Sequence, residues 1–351
     1  MSKLKAVIIG CGRSSLDPDS RDHGISHTHV LGYQALESVK VVACADIVKE
    51  YAEAYANLYS LPKHYIDYKE MVEKEQPDIV SVCTWPGLHA KMVIHCAKAG
   101  VRAIHCEKPM ATTFGDAKKM KAACDKAGVQ LTFNHQRRFE PQYAHARALV
   151  NQGAIGTLQR IEVFCGNLYD WGTHWFDMMN FYNNDAPANW VMGQIDARSD
   201  GGVFGVRMED QGLSQISFSN GVHGLMFSGA GQMPGAEHRF LGSEGYIDVQ
   251  MPVVRIRGIG DKNLREITYP EKKNIGAWSA ITFGIKDLIH GLETGREPEL
   301  SARKALATTE IIFATYESSR RRGRVDLPLD INDHPLHQMM DVGEVGPDRK
   351  G

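Results

Sequence analysis

Hydrophobic and polar positions follow two different patterns along this chain, and the change comes near residue 133. Before it, short runs that are apolar at every position are separated by segments of helical length. Such runs are typical of strands buried on both faces, as in a parallel sheet covered by crossover helices. The predicted strands are 6–9, 41–45, 79–83, 103–106 and 130–133. The predicted helices between them are 69–75, 89–99 and 115–127.

After residue 133 the apolar positions recur every second residue, which predicts an antiparallel sheet with one buried face. The predicted strands are 157–166, 188–198, 212–219, 223–229, 237–241 and 252–257. The predicted helices are 139–151, 171–183, 276–294 and 301–321. We therefore predict a first domain over 1–132, a second domain over 133–330, and a polar tail over 331–351 that is an arm or a disordered segment.

The composition is that of a soluble globular protein, with 351 residues, 43% hydrophobic and 23% charged residues, and a net charge of -2. Without a basic excess, we expect neither nucleic acid nor a membrane as a partner. No apolar run approaches the ~18 residues that a membrane span requires. The seven cysteines are irregularly spaced, so we expect reduced thiols in a cytoplasmic protein and no metal site.

A G-x-G turn at Gly10 and Gly12 follows the first predicted strand. Such a turn lets a pyrophosphate approach the backbone at a helix N-terminus. The third glycine of the motif is missing, and we interpret the polar stretch 13–23 as an insertion in the phosphate loop. Arg13 and Ser14 at its start therefore join the two glycines as predicted cofactor contacts. The alternative is a surface loop with no cofactor role.

Asp46 ends the second predicted strand. In dinucleotide-binding folds an acid at this place binds the ribose hydroxyls and repels a 2′-phosphate, which favours NAD over NADP. The acid usually follows the glycines by about 20 residues. Here Asp46 lies 34 residues beyond Gly12, and the insertion accounts for the excess. The alternative is an ordinary aspartate that starts a turn.

Two further patterns suggest chemistry. Lys108, between Glu107 and Pro109, follows a buried strand. Burying an ammonium group there costs free energy unless the lysine has a partner or a function. Asp170 and His174 lie four residues apart, on one face of the chain if the segment is helical. With the glycine turn, these patterns indicate transfer of a hydride and a proton between a nicotinamide and an alcohol. The alternatives are a surface lysine, an N-cap aspartate and a core histidine.

These motifs together resemble the glucose–fructose oxidoreductase/inositol dehydrogenase (Gfo/Idh/MocA) family over nearly the whole chain. The resemblance implies an α/β protein with an N-terminal Rossmann parallel sheet and a C-terminal α/β domain with a large, mostly antiparallel sheet. It implies NAD as the cofactor and sugars, cyclitols or their derivatives as substrates. It also implies a homo-oligomer, a dimer or higher.

The resemblance also assigns roles to single residues. Lys108 matches the family lysine beside the nicotinamide and the substrate. His174 matches the acid/base histidine, and Asp170 matches the carboxylate one turn before it. A neutral histidine is suited to take the hydroxyl proton, and the lysine would stabilise alkoxide character on the same oxygen. Glu107 is expected to support the lysine or the cofactor ribose.

The segment 84–89 lies where the family usually shows Thr-Pro-Asn-x-x-His. Here the sequence reads Thr-Trp-Pro-Gly-Leu-His, so Trp85 replaces the first proline and places an aromatic ring near the cofactor. We therefore predict Thr84, Trp85 and His89 as further cofactor contacts, together with Glu107 and Lys108.

The predicted substrate contacts are mostly aromatic. Tyr169, Trp171 and Trp175 surround the Asp-x-x-x-His pattern and are suited to line a sugar pocket. Arg138 lies in a stretch that resembles the family's Arg-Phe-x-Pro. We predict oxidation of a secondary ring hydroxyl of a sugar, glycoside or cyclitol, with C3 favoured. Core packing is the alternative for each aromatic residue.

Other functions stay open from the sequence. The insertion in the phosphate loop would permit a tightly held cofactor that is recycled internally between two substrates. A relative with this fold can instead be an NAD-dependent glycosidase, which oxidises its sugar transiently and eliminates the aglycone. A third possibility is a non-catalytic NAD-binding regulatory protein.

Overall fold

The computed structural model describes residues 3–12, 25–229, 237–269 and 279–347. The chain folds into two compact units. The first unit comprises residues 1–111, 116–136 and 273–305, and the second comprises residues 112–115, 137–272 and 306–351. None of the helices in the described residues has the length and apolar character that crossing a lipid bilayer requires.

The N-terminal part of the chain alternates strands with helices. Its elements are β1 (Leu4–Ile9), α1 (Ser26–Gln34), β2 (Val39–Ala45), α2 (Lys49–Leu58), β3 (Lys63–Tyr65), α3 (Tyr68–Glu75), β4 (Ile79–Val82), α4 (Pro86–Lys98), β5 (Ala103–Cys106), α5 (Phe114–Ala127) and β6 (Gln130–Phe133). Within the described residues the strands form a six-stranded sheet in the order β3-β2-β1-β4-β5-β6. Each neighbouring pair is parallel. This strand order is that of a doubly wound dinucleotide-binding sheet, which binds its ligand outside the carboxyl ends of the strands.

The remaining elements, in chain order, are α6 (Pro141–Asn151), β7 (Leu158–Cys165), α7 (Gly172–Tyr182), β8 (Ala188–Asp196), β9 (Gly202–Val203), β10 (Val206–Arg207), β11 (Gln211–Phe218), β12 (His223–Gly229), β13 (His238–Gly242), β14 (Tyr246–Gln250), β15 (Val253–Arg257), β16 (Arg265–Thr268), α8 (Ala280–Thr294), α9 (Ala302–Arg321), β17 (Val325–Asp326) and α10 (Pro335–Asp341). A short 3-10 turn, Gln136–Phe139, precedes α6.

The second unit is built on a large sheet. Among the described residues it has nine strands, in the order β16-β15-β14-β13-β7-β12-β11-β8-β17. The neighbours β7 and β12 run parallel, and the other pairs are antiparallel. The predicted α/β fold class is therefore confirmed, with a parallel sheet first and a mostly antiparallel sheet second. Helix α7 is buried along its whole length, which places it inside the core of this unit.

The two units differ from the predicted domains at helix α8. Its residues Ile281, Ile285, Leu288 and Ile289 belong to the same apolar cluster as β1 and β2. Their spacing forms one helical stripe, and burying that stripe stabilises the first unit. The sequence pattern assigns this segment to the second domain, because it follows the antiparallel strands along the chain.

The predicted tail also differs from the structure. Helix α10 lies within residues 331–351 and buries Leu336, Met339 and Met340. These apolar positions are three and four residues apart, as on one face of a helix. This part of the tail is therefore neither a free arm nor disordered. The helix was not predicted because its apolar stripe is short and polar residues surround it in the sequence.

Candidate active site

The glycine turn lies at the carboxyl end of β1 and admits no side chain at its first position. Gly10 has a φ of +90°, and a Cβ atom added there would lie 2.5 Å from the carbonyl oxygen of Cys83. It would also lie 2.9 Å from the Thr84 side chain. A backbone without a side chain at this place leaves room for a phosphate group to approach, as dinucleotide binding requires.

Asp46 is joined to this turn by hydrogen bonds. Its Oδ2 accepts from the backbone N–H groups of Cys11, at 2.9 Å, and Gly12, at 3.4 Å. Its Oδ1 accepts from the N–H of Val48 at 3.0 Å. The carboxylate is half-buried, so it retains an accessible edge that ribose hydroxyls could reach. The structure thus brings together Asp46 and the two glycines, and this arrangement fits a dinucleotide.

Arg13 and Ser14, the other predicted contacts of the phosphate loop, lie outside the described residues. The start of the following helix is described: the Ser26 hydroxyl donates to the carbonyl oxygen of Cys11 at 3.0 Å. This bond fixes the first turn of α1 against the glycine turn.

We expect Gly10→Ala to destabilise the protein and to abolish dinucleotide binding. The positive φ alone costs an alanine about 1–3 kcal/mol, and the clash with a backbone oxygen must also displace the turn. Urea unfolding and titration with NAD+ would measure both effects. Gly87→Ala is the matched control, because a Cβ atom there meets no atom of the described residues within 4 Å. Equal affinity for NAD+ in the Gly10 variant and the wild type would contradict the proposed role of the turn.

His89 does not have the position predicted for a cofactor contact. Its ring is fully buried, with Nδ1 3.0 Å from the carbonyl oxygen of Pro109 and Nε2 3.0 Å from that of Thr84. Burial lowers the pKa of His89, so the ring is neutral at pH 7 and donates through one nitrogen. The ring lies between the loop after β4 and the segment after β5. This position argues against direct contact with a cofactor.

The neighbouring residues of this loop are accessible. Trp85 is 62% exposed, and Thr84 is half-buried with its hydroxyl 3.5 Å from the Met92 sulfur. Both residues follow β4, next to the strand that carries the glycine turn. They therefore remain predicted cofactor contacts.

Lys108 and Glu107 follow β5, and they differ in their surroundings. Lys108 is half-buried, whereas the Glu107 side chain lies inside the unit. The Glu107 Oε1 accepts from Asn134 Nδ2 at 2.6 Å and lies 2.8 Å from His29 Nε2. Its Oε2 accepts from the backbone N–H of Lys108 at 3.2 Å. Of the two roles predicted for Glu107, this geometry favours support of the lysine over contact with the ribose.

The pKa of Glu107 reflects these contacts. Burial by itself raises the pKa, but the hydrogen bonds from His29 and Asn134 outweigh it, so the pKa lies below its ordinary value. The carboxyl group is therefore an anion directly under the backbone of Lys108. Sequence reasoning did not identify His29 or Asn134 as partners of this group, because both lie far from it along the chain.

Asp170 and His174 lie at the start of α7 in the second unit, and both are buried. The helix begins at Gly172, and Trp171 rather than Asp170 occupies the N-cap position. The side chain of Asn167 sets this turn, because its Oδ1 accepts from the N–H of Asp170 at 2.7 Å and that of Trp171 at 3.0 Å. Asp170 thus lies one residue before the N-cap position, and its role beside His174 stays a prediction.

Glu209, in the connection between β10 and β11, fixes the same turn. Its Oε1 accepts from the N–H of Leu168 at 2.5 Å and from the Ser228 hydroxyl at 3.1 Å, and its Oε2 accepts from the Tyr316 hydroxyl at 2.6 Å. Burial raises the pKa of Glu209. The sequence offers no motif for this residue, since its partners come from three distant segments.

We expect Glu209→Gln to lower kcat more than it lowers affinity for NAD+. A glutamine amide presents one acceptor oxygen in place of two, so at least one buried donor loses its partner, at about 1–3 kcal/mol. The turn that carries Asp170 would then loosen. Asp210→Asn is the matched control, because the adjacent carboxylate bonds to Arg198 and Ser199 within an exposed turn. Equal kcat in the two variants would contradict this role.

The structure argues against a substrate contact by Arg138. Its side chain is 0% exposed. Its Nε and Nη2 donate to the two carboxylate oxygens of Asp177, each at 2.8 Å, and Nη2 also bonds to Asp185 at 2.9 Å. The guanidinium is thus bonded to two carboxylates inside the second unit. The charge that sequence reasoning assigned to substrate binding is a structural ion pair.

Of the three predicted aromatic contacts, two are buried in the core and one is exposed. Tyr169 and Trp175 belong to the apolar core of the second unit, and Trp175 Nε1 donates to the carbonyl oxygen of Phe164 at 2.7 Å. Trp171 is 49% exposed and remains a candidate. The guanidinium of Arg137 lies 5.8 Å from the Trp171 ring centroid and 4.4 Å from that of Trp175. Arg137, and not Arg138, is therefore the arginine beside the exposed aromatic ring.

Comparison with known proteins identifies the family of the chain. Residues 4–135 match the profile described as "Oxidoreductase family, NAD-binding Rossmann fold". Residues 147–327 match the profile described as "Oxidoreductase family, C-terminal alpha/beta domain". Both profiles are those of the family predicted from the sequence, so that resemblance is confirmed.

Individual relatives cover nearly the whole chain. The D-apiose dehydrogenase of Paraburkholderia graminis is 26% identical over 93% of this chain and 90% of its own length. The myo-inositol 2-dehydrogenase of Thermotoga maritima is 23% identical over 92% of this chain and 98% of its own length. A levoglucosan dehydrogenase solved with NADH and levoglucosan shares the fold, with a TM-score of 0.79, 20% identity, and coverage of 93% of this chain and 100% of that chain. This chain belongs to the Gfo/Idh/MocA family of NAD-binding oxidoreductases.

Proposed function

We propose that this protein oxidises a secondary ring hydroxyl of a sugar, glycoside or cyclitol with NAD+. The observation that carries the proposal is the position of Lys108. It lies at the carboxyl end of β5, two strands from the glycine turn of β1, and a buried anion lies under its backbone. The relatives named for D-apiose, myo-inositol and levoglucosan support a polyhydroxylated substrate.

The cofactor would be held by residues of the first unit: Gly10 and Gly12 at the pyrophosphate, Asp46 at a ribose, and Thr84 and Trp85 beside the nicotinamide half. Bound NAD+ supplies the acceptor for the hydride that leaves the substrate carbon. The protein must then manage the proton and the developing negative charge on the substrate oxygen.

We assign those two tasks to Lys108 and His174. The ammonium group of Lys108 donates a hydrogen bond to the reacting oxygen and stabilises its alkoxide character. The imidazole of His174 takes the hydroxyl proton, and in the reverse direction it returns that proton. Asp170, one turn earlier, orients the imidazole or binds a neighbouring hydroxyl. The C–H electron pair leaves as hydride and the O–H proton goes to the imidazole, so the alcohol becomes a ketone.

A substrate panel tests this function. Purified protein would be mixed with NAD+ and, separately, D-apiose, myo-inositol, levoglucosan, D-glucose or methyl β-D-glucopyranoside, and the absorbance of reduced nicotinamide would be followed. We expect turnover with at least one compound, and far less with NADP+. A product carrying a keto group at C3 would establish the ring position that we favour. Release of free aglycone from the glycoside without a keto product would instead support the glycosidase.

Two finer proposals concern the cofactor and the assembly. We propose that the dinucleotide is held tightly enough to copurify, because the phosphate loop carries an insertion. Mass spectrometry after denaturing release would detect the dinucleotide.

We also propose a homo-oligomer, supported by the exposed apolar side chains Met192, Leu213 and Phe227 on strands of the large sheet. Light scattering would give the molar mass, and a monomer would contradict the proposal. Cytoplasmic location stays a prediction.

A further inference from the structure

A chain of hydrogen bonds runs through the interior of the first unit and ends at Glu107. The Tyr33 hydroxyl lies 2.9 Å from Ser81 Oγ, which lies 3.1 Å from His29 Nδ1. The His29 Nε2 lies 2.8 Å from Glu107 Oε1. The first three residues are fully buried, and Glu107 is 5% exposed. Groups of this kind are expensive to bury unless all of them are bonded.

The direction of the chain follows from its last member. An ionised carboxylate only accepts hydrogen bonds, so the proton between it and His29 belongs to Nε2. In the neutral tautomer with this proton, Nδ1 accepts from the Ser81 hydroxyl, whose oxygen accepts from the Tyr33 hydroxyl. In that tautomer all three donors point toward Glu107, so the bonds polarise one another in the same sense.

The chain also joins the dinucleotide end of the unit to the lysine. His29 and Tyr33 lie on α1, the helix whose first residue is bonded to the glycine turn. Ser81 lies in β4, and Glu107 follows β5. Asn134, after β6, donates to the same carboxylate at 2.6 Å. Three neighbouring strands and one helix therefore converge on the group under Lys108.

Other titratable groups also face this carboxylate, from β4, α4 and β5. Burial lowers the pKa of His105 to about 3, and it lowers that of His89 as well, so neither ring carries charge at pH 7. Burial raises the pKa of the Cys83 and Cys106 thiols. The groups that act on Glu107 electrostatically are His29, His89, His105, Cys83, Cys106 and Lys108. Of the three histidines in this set, His29 is the one within hydrogen-bonding distance of the carboxylate.

We propose that His29 is a positioning residue for the reaction: by donating to Glu107, it keeps that carboxylate ionised and fixed, and through it holds Lys108 in place. The inference rests on the proposed function of Lys108. A packing role alone would be served as well by apolar residues of similar volume, which avoid the desolvation of a buried carboxylate.

The test compares His29→Leu with His105→Leu. The two rings are equally buried, their centroids lie 4.9 Å apart, and His105 bonds to Thr132 instead of Glu107. We expect His29→Leu to lower kcat about 10- to 100-fold, the effect of one charge-assisted hydrogen bond. It should also move the acidic limb of the pH profile of kcat/KM to higher pH. The reason is that the hydrogen bond from His29, which lowers the pKa of Glu107 against the effect of burial, would be gone. The affinity for NAD+ should change less than threefold, and His105→Leu should leave the limb in place.

A second pair of variants, His29→Gln and His29→Asn, keeps the test valid if His29→Leu fails to fold. Glutamine at position 29 can reach Glu107 with its amide, whereas asparagine is too short. His29→Gln should therefore restore the pH profile and most of kcat, and His29→Asn should not. Identical pH profiles for the two variants, or for the two leucine variants, would overturn the inference. If Lys108→Met is inactive in the same assay, that failure leaves the proposed function intact, whereas an active Lys108→Met would refute the proposed function itself.

Discussion

Lys108→Met is expected to lower kcat for sugar oxidation by about 10²- to 10³-fold, the usual effect of removing one donor from a developing oxyanion. Methionine has nearly the length of lysine and no charge, so it removes the ammonium group and leaves the volume in place. The carboxylate of Glu107 keeps its bonds to His29 and Asn134, because these do not involve the lysine side chain. Steady-state kinetics with the best substrate of the panel would measure the loss.

Lys91→Met is the control for this experiment, since Lys91 is an exposed residue of α4 in the same unit. We expect its kcat to equal that of the wild type. The affinity of Lys108→Met for NAD+ should stay within a few-fold, because the dinucleotide would be held chiefly by the glycine turn and Asp46. A variant that binds NAD+ and keeps full turnover would show that Lys108 takes no part in the chemistry.

Arg138→Leu is expected to produce the largest loss of stability, about 3–5 kcal/mol in the free energy of unfolding. Burial by itself lowers the pKa of Arg138, but Asp177 and Asp185 outweigh it and hold the pKa well above its usual value. Without the guanidinium, the buried carboxylate of Asp177 would lose its counterion and two hydrogen bonds. Urea unfolding at neutral pH would measure the change.

Arg147→Leu is the matched control in the same unit, since Arg147 makes its hydrogen bonds to Asn184 at the exposed surface. Its loss should be about 1 kcal/mol or less. The double variant Arg138→Leu/Asp177→Leu should recover part of the stability, because it leaves no unpaired charge at Asp177. If Arg138 instead bound the substrate, its leucine variant would unfold normally and show a raised KM.

The sequence predicted the strands of the first unit well, because burial on both faces leaves an unbroken apolar run. Strand β3 and helix α2 were not predicted. Strand β3 has three residues that are largely exposed, and the buried face of α2 is made of alanine and tyrosine rather than aliphatic residues. The parallel pairing of β12 with β7 was also beyond a local pattern, since β12 shows the same alternation as its antiparallel neighbour β11.

In the candidate site, too, contacts between residues close in sequence were predictable and contacts between distant residues were not. Contacts within a short segment, such as the glycine turn, were predictable from spacing. Roles that depend on a distant partner were not: Arg138 and Tyr169 have the chemistry of substrate contacts but lie in the interior. Conversely, His29 and Glu209 carry no motif, and only the fold shows what they hold.

The central proposal is that Lys108 and His174 act on the same substrate hydroxyl. A double-mutant cycle on the rate of NADH formation in a single turnover tests it directly, with wild type, Lys108→Met, His174→Asn and the double variant. If both groups act on one oxygen, each single variant is slow and the double variant is much faster than the product of the two losses predicts. Losses that multiply, or a single variant as fast as the wild type, would contradict the account.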